Sequence, residues 1–245
     1  MKHLFIGSTI VLAFAAPAEA SEFDFRGATI VGTAYFQNAP DIDVDWTTAS
    51  LGASFELGLG GGFFAQKDAT FQGYDMPWAN YKLGSFGGHL GYEVGDGINV
   101  GAFGVGEFWD DGTGEMIVGG EVAGRMDNFF YEGYGAYVFD PLEGTGFEQY
   151  HVEATGGYAF GNGFGIELGV HYGSGDLRFT ERMWQGLASV SYEVAPDISV
   201  EAGYVYSDSG TDIWDSQAFK VALKKDFGGG TTFSQRNYLS LHNGY

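Results

Sequence analysis

The 245-residue chain contains no cysteine, so no disulfide framework supports its fold. Basic residues are few: 11 Lys and Arg stand against 32 Asp and Glu, a formal charge of −21. Phosphate groups are held by clustered cations, so this balance argues against nucleic acid or anionic lipid as a partner. Beyond residue 20 no stretch is continuously apolar over about 18 residues, which excludes helical membrane spans. Proline is scarce, at 5 residues. Catalytic signatures are missing too. The residues two places beyond His89, His151, His171 and His242 are Gly91, Glu153, Gly173 and Gly244, so no His-x-Ser pair occurs. Neither a Gly-x-Ser-x-Gly elbow nor a His-Glu-x-x-His zinc helix is found. Gly60-x-Gly62-x-x-Ala65 loosely matches a dinucleotide fingerprint, but it falls in a hairpin turn with no helix behind it. No cofactor is expected.

What the chain has in quantity is glycine (42) and aromatic residues (22 Phe, 15 Tyr), at a mean hydropathy near zero. Small positions interleaved with aromatics suit closely packed, tilted strands. Residues 1–20 read as a signal peptide: Lys2, an apolar run from Leu4 to Ala16, then Ala18-Glu19-Ala20 before Ser21. The mature chain is expected to start at Ser21.

The hairpin Gln149 to Tyr172 carries the strongest pattern. Even positions read Tyr150, Val152, Ala154, Gly156, Tyr158 and Phe160, then Phe164, Ile166, Leu168, Val170 and Tyr172 beyond a Gly161-Asn162-Gly163 turn. Odd positions carry His151, Glu153, Thr155, Glu167 and His171. Side chains alternate faces along a strand, so one face is apolar and the other ionisable. The apolar rows are aromatic at their ends and aliphatic or small between, as in a wall that faces lipid.

Turn signals divide the mature chain evenly, predicting strands over 27–37, 43–57, 62–72, 79–93, 97–109, 114–126, 129–139, 148–160, 164–175, 181–194, 198–208 and 215–227. About twelve strands put both ends of an up-and-down meander on one side. Tight connections at Gly58–Gly61, Gly95–Gly97, Met126–Asn128, Gly161–Gly163 and Ala195–Asp197 alternate with longer, Asp-richer ones. On this phase Trp46, Trp78, Trp109, Trp184 and Trp214 all fall at the long-loop end. Strands 62–72 and 79–93 alternate poorly, with Lys67 and Lys82 placed awkwardly.

The same parity assigns an inner face. Glu56, Glu115, Glu121, Arg125, Glu132, His151 and Glu153 are expected to line a lumen, with Glu167, His171, Glu193, Glu201, Lys220 and Lys224. Glu153 should lie opposite His171, and Lys220 and Lys224 beside the strand of Glu201. Tyr150, Tyr158, Phe160, Phe164, Tyr172, Trp184, Tyr192 and Phe227 are expected at the membrane interfaces. Asp41, Asp43 and Asp45, and Asp208, Asp212 and Asp215, are oxygen donors of the kind that hold calcium, but they lack an EF-hand's glycine and terminal Glu. They read as solvated surface, and no metal site is expected. After Phe227, Gly228-Gly229-Gly230 opens a polar tail over 228–245. A frayed periplasmic tail is the expectation, because Phe233, Tyr238, Leu239 and Leu241 show no period and offer little to bury. A tail that plugs the lumen, or a terminal strand ending in Tyr245, are the alternatives.

Over most of its mature length the chain resembles a small Gram-negative outer-membrane β-barrel of the porin type. The resemblance rests on the signal peptide, on alternating Gly-aromatic strands such as Leu51-Gly52-Ala53-Ser54-Phe55-Glu56-Leu57-Gly58, and on the closing strand Phe219 to Phe227. It implies an all-β transmembrane barrel over 21–227, surrounded by outer-membrane lipid. The implied function is passive, cation-leaning diffusion of ions or small hydrophilic solutes, with no catalysis. The chain is too short for the 16 strands of larger trimeric porins and has no long constricting loop, which leaves its oligomeric state open. The other readings are a closed structural or partner-binding barrel, an outer-membrane lipid-modifying enzyme pairing His and Ser across strands, and a soluble lipocalin-like barrel with its apolar face inward. Twelve strands exceed the eight that suit the last.

Overall fold

The structure, a computed structural model, describes residues 24–40, 43–77, 79–95, 97–110, 112–139, 148–177, 180–210 and 215–236. The signal-peptide segment, Trp78, Trp214, Asp41, Asp212 and residues 237–245 lie outside the described residues.

Twelve antiparallel strands close into one barrel. They are β1 (Asp24–Ala39), β2 (Val44–Gly60), β3 (Phe63–Met76), β4 (Ala79–Gly95), β5 (Ile98–Trp109) and β6 (Gly114–Met126), followed by β7 (Phe129–Phe139), β8 (Glu148–Ala159), β9 (Phe164–Leu177), β10 (Thr180–Ala195), β11 (Ile198–Asp208) and β12 (Ser216–Phe227). Each strand pairs with its neighbours in sequence. The circle closes where β12 meets β1, from Ala28 opposite Phe227 to Asn38 opposite Gln217. Closure leaves no unpaired edge, so the ladders themselves satisfy the backbone polar groups of the wall.

Local sequence explains the tight turns. Asp127 and Asp197 adopt positive φ, 53° and 58°, at two-residue connections, a conformation that Asp tolerates better than most side chains. In the β8–β9 turn Asn162 Oδ1 accepts a hydrogen bond from the Phe164 backbone N–H at 3.2 Å, which fixes the register of the hairpin. Glu153 then stands opposite His171.

Parity sorts the two faces. Ile30, Phe36, Leu51, Phe71, Phe86, Val152, Leu168, Val170, Phe219 and Leu223 are exposed on the outer wall, Leu168 by 64%. Glu56, Gln66, His89, Glu107, Glu121, Gln149 and His151 point the other way and are buried. A soluble barrel with an apolar interior is therefore excluded: the apolar rows face out, over far more surface than water tolerates. Of the expected interface aromatics, Tyr150, Tyr158, Phe160, Phe164, Trp184, Tyr192 and Phe227 are exposed on this wall, and Tyr172 is half-buried against Trp184 at 4.5 Å.

β3 and β4 alternate as cleanly as the rest. Phe64, Gln66, Asp68, Thr70, Gln72 and Tyr74 are buried, whereas Phe63, Lys67 and Phe71 are exposed. The weak alternation of the sequence comes from Lys67 and Lys82, which stand on the outer wall, and from glycines that leave positions of β4 without a side chain. Trp46 and Trp109 are at the long-loop end but on the inner face. Trp46 is buried, and Trp109 packs on Tyr74 at 5.7 Å.

Candidate functional site in the barrel lumen

The inner face is packed at two levels. In the half near the long loops, Tyr35, Tyr74, Leu83, Val205 and Ala218 form a buried apolar cluster flanked by Met76, Tyr81, Trp109 and Leu187. These residues come from β1, β3 to β5 and β10 to β12, so the layer draws on both sides of the barrel. Beside it lies a polar strip, in which His151 Nδ1 is 3.1 Å from His171 Nε2 and the two rings stack. His151 Nε2 is 2.9 Å from Gln149 Oε1, and Gln185 Nε2 donates to Ser207 Oγ at 3.1 Å.

The half near the tight turns holds most of the charges, and there residues 231–236 enter the barrel. For residues 228–236 this corrects the expectation of a frayed tail; residues 237–245 lie outside the described residues. Gly228, Gly229 and Gly230 take φ of 64°, 101° and 83°, left-handed values open to glycine at little cost, and turn the chain inward directly after β12. Thr231 N–H donates to Thr29 Oγ1 at 3.2 Å. Thr232 gives its N–H and hydroxyl to the two oxygens of Glu56, at 2.8 and 3.0 Å. Gln66 mimics a strand partner, accepting from Phe233 N–H at 3.2 Å and donating to Phe233 O at 2.9 Å. Ser234 gives its N–H and hydroxyl to Glu132, at 2.9 and 2.7 Å. The backbone donors of residues 231–234 are thus all satisfied by wall side chains, as buried N–H groups require.

Two side chains anchor the segment. Phe233, 1% exposed, lies between Phe64 at 5.6 Å and His89 at 5.8 Å. Arg236 Nη2 reaches Glu121 at 3.2 Å and makes a second, short ion pair with Glu132. Its guanidinium also sits 4.3 Å from the centre of the Tyr134 ring, where the ring quadrupole attracts a cation. His89 joins Asp68 at 2.7 Å to Glu121 at 2.5 Å, and Arg26 joins Glu56 at 3.1 Å. The wall makes room by omission. A β-carbon built on Gly27 would collide with Gly230 and one on Gly52 with Gln235, while one on Gly101 would lie 2.8 Å from the Phe233 ring.

Glu56, Glu121 and Glu132 are therefore engaged with the tail. Across the barrel, β8 to β12 present half-buried Glu153, Thr155, Glu167, Ser191, Glu201 and Lys220. Lys220 pairs with Glu201 at 2.9 Å and Lys224 with Asp226 at 3.1 Å. Glu153 and His171 are opposite in register, but their side chains part: Glu153 accepts from Tyr134 OH at 3.1 Å, and His171 turns to His151. Glu115 is buried near the long-loop end, opposite Glu107. Arg125, Glu193 and Lys224 share the inward parity but are exposed at the tight-turn end.

Sequence reasoning missed Asp68, His89, Gln66 and Arg236. The first three were legible in the even run Phe64, Gln66, Asp68, Thr70 and in His89, had β3 and β4 been assigned a face. Among the described residues no group of three or more His, Cys, Asp or Glu is placed to hold a metal ion. Asp45 instead accepts from Asn38 Nδ2 at 2.7 Å, and Asp215 from Ser209 N–H at 3.0 Å.

No protein-family model matches the chain, and no characterised protein sequence does either. Solved structures do resemble it. The NanC porin is 11% identical with a TM-score of 0.60, covering 80% of this chain and 98% of its own. The KdgM porin is 10% identical at 0.56, covering 81% and 99%. The CymD monoaromatic hydrocarbon channel is 10% identical at 0.51, covering 85% and 90%. At such identities the likeness is one of fold alone: a closed antiparallel β-barrel like those of the NanC and KdgM porins.

Proposed function

We propose that this protein is an outer-membrane channel for passive diffusion of ions or small hydrophilic solutes, with a preference for cations. The observation that carries the reading is the wall of β8 to β12. Glu153, Glu167 and Glu201 stand half-buried on the inner face, while Lys220 is tied to Glu201 and Lys224 to Asp226. Carboxylates along a narrow path stabilise cations and repel anions. The apolar outer wall supports a place in the bilayer, and residues 1–20 support export through a cleaved signal peptide, with the tight turns in the periplasm. One neighbour, the KdgM porin, was solved with oligogalacturonate. An acidic saccharide of that kind would meet an acidic wall here, so uncharged solutes and cations are the better match.

Planar-bilayer recording of the refolded protein tests the proposal. Discrete conductance steps support it; their complete absence overturns it. A second reading, a closed structural barrel, is favoured by the apolar layer around Tyr35, Tyr74 and Leu83. Absence of steps together with full heat-modifiable folding in SDS would select it.

A further inference from the structure

We infer that residues 231–236 are a displaceable inner plug, latched by Arg236 on Glu121 and Glu132, whose release widens the path through the barrel. The inference rests on the channel reading above and concerns its regulation.

The segment is held in a way that permits release. None of its hydrogen bonds given above belongs to the ladder of the barrel; they run to wall side chains of β1, β2, β3, β6 and β7. The plug can therefore leave while the closure of β12 on β1 stays intact. A joint is present at its base, three consecutive glycines at positive φ. Its far end depends on a single cation, since Arg236 is the only basic residue in 231–236. Most of its partners are polar groups that water or a solute cation can satisfy once the segment moves: Glu56, Gln66, Glu121, Glu132, Thr29, and Ser54, whose Oγ accepts from Gln235 Nε2 at 2.8 Å. Phe233 supplies the opposing term, an apolar ring that remains seated between Phe64 and His89 until the latch opens. In the seated state the plug contacts β1 to β7, and in the same half of the lumen the inner face of β8 to β12 carries the half-buried Glu153, Glu167 and Glu201.

Single-channel conductance tests this. The set is the native chain, Arg236→Ala, Arg236→Lys, Gly101→Val and a chain ended after Gly230, each first checked for folding by its gel shift on boiling. Gly101→Val keeps the latch residues but crowds the Phe233 seat, and it serves if Arg236→Ala fails to fold. Arg236→Ala, Gly101→Val and the shortened chain should show larger steps. The gain should be on the order of twofold, because the plug occupies one side of the lumen in the half near the tight turns. Arg236→Lys, which keeps the charge, should stay nearer the native value. Equal, non-zero steps throughout would overturn the plug and leave the channel standing. If even the shortened chain gave no steps, the channel reading would fall and its regulation with it.

Discussion

The ring of Phe233 lies nearly parallel to that of His89, with centroids 5.8 Å apart and planes at 18°. His89 is fixed by Asp68 and Glu121, so the segment after β12 closes over a buried imidazole already held between two carboxylates. Phe233→Ala should empty this seat. Loss of a buried Phe costs about 3 kcal/mol, the low end of the range for cores, because the segment can partly collapse. Urea unfolding of the vesicle-embedded protein measures it, and an unchanged midpoint would mean that the ring contributes nothing to stability.

Arg236 answers a charge problem set by the wall. Glu121 is buried and Glu132 half-buried, and Arg236 is the cation that meets both. Arg236→Ala should cost about 3 kcal/mol, since it leaves the buried Glu121 carboxylate with His89 as its remaining charged partner. Adding Glu121→Gln should recover part of that loss, giving a non-zero coupling in a double-mutant cycle. Strict additivity would show that the two residues do not sense each other.

The outer wall makes a separate prediction through Lys67, exposed on β3 between rows that carry Phe63 and Phe71. A lysine on a lipid-facing wall costs from about 0–1 kcal/mol near the interfaces to about 2–4 at the midplane. Lys67→Leu should therefore raise stability in phosphatidylcholine vesicles, and Leu168→Arg on β9 should lower it. If Lys67→Leu destabilised the protein, the lysine would have a partner outside this chain.

Lys220 and Glu201 should act oppositely on selectivity, because they form one ion pair at 2.9 Å on the path wall. Glu201→Gln leaves Lys220 uncompensated and should reduce cation preference. Lys220→Gln frees the carboxylate and should increase it. A charge about 4 Å from a permeating ion is worth roughly 1 kcal/mol in water, about fivefold in occupancy. Reversal potentials of the two variants check this, and shifts of the same sign would contradict it.

The barrel was legible because its pattern is local. β6, β7 and β11 have the bounds that alternation and turn residues predict, and the β8–β9 hairpin has the expected register. The faces of β3 and β4 were harder, since two lysines stand on the outer wall and glycines erase the alternation of β4. The plug was not legible from apolar content. It is held by polar pairs distant in sequence, such as Arg236 with Glu132, 104 residues apart, and by the missing β-carbons of Gly27, Gly52 and Gly101. A period search over the tail detects neither. The more useful clue was charge: Arg236 is a rare cation in a chain of 32 acids.

The most direct test of the whole account is the reversal potential of the native protein in a planar bilayer under a potassium chloride gradient. Cation-side reversal, moving toward zero in Glu167→Gln, is the predicted result. Anion-side reversal, or a native potential indifferent to Glu167→Gln and Glu201→Gln alike, would contradict an acidic path along β8 to β12.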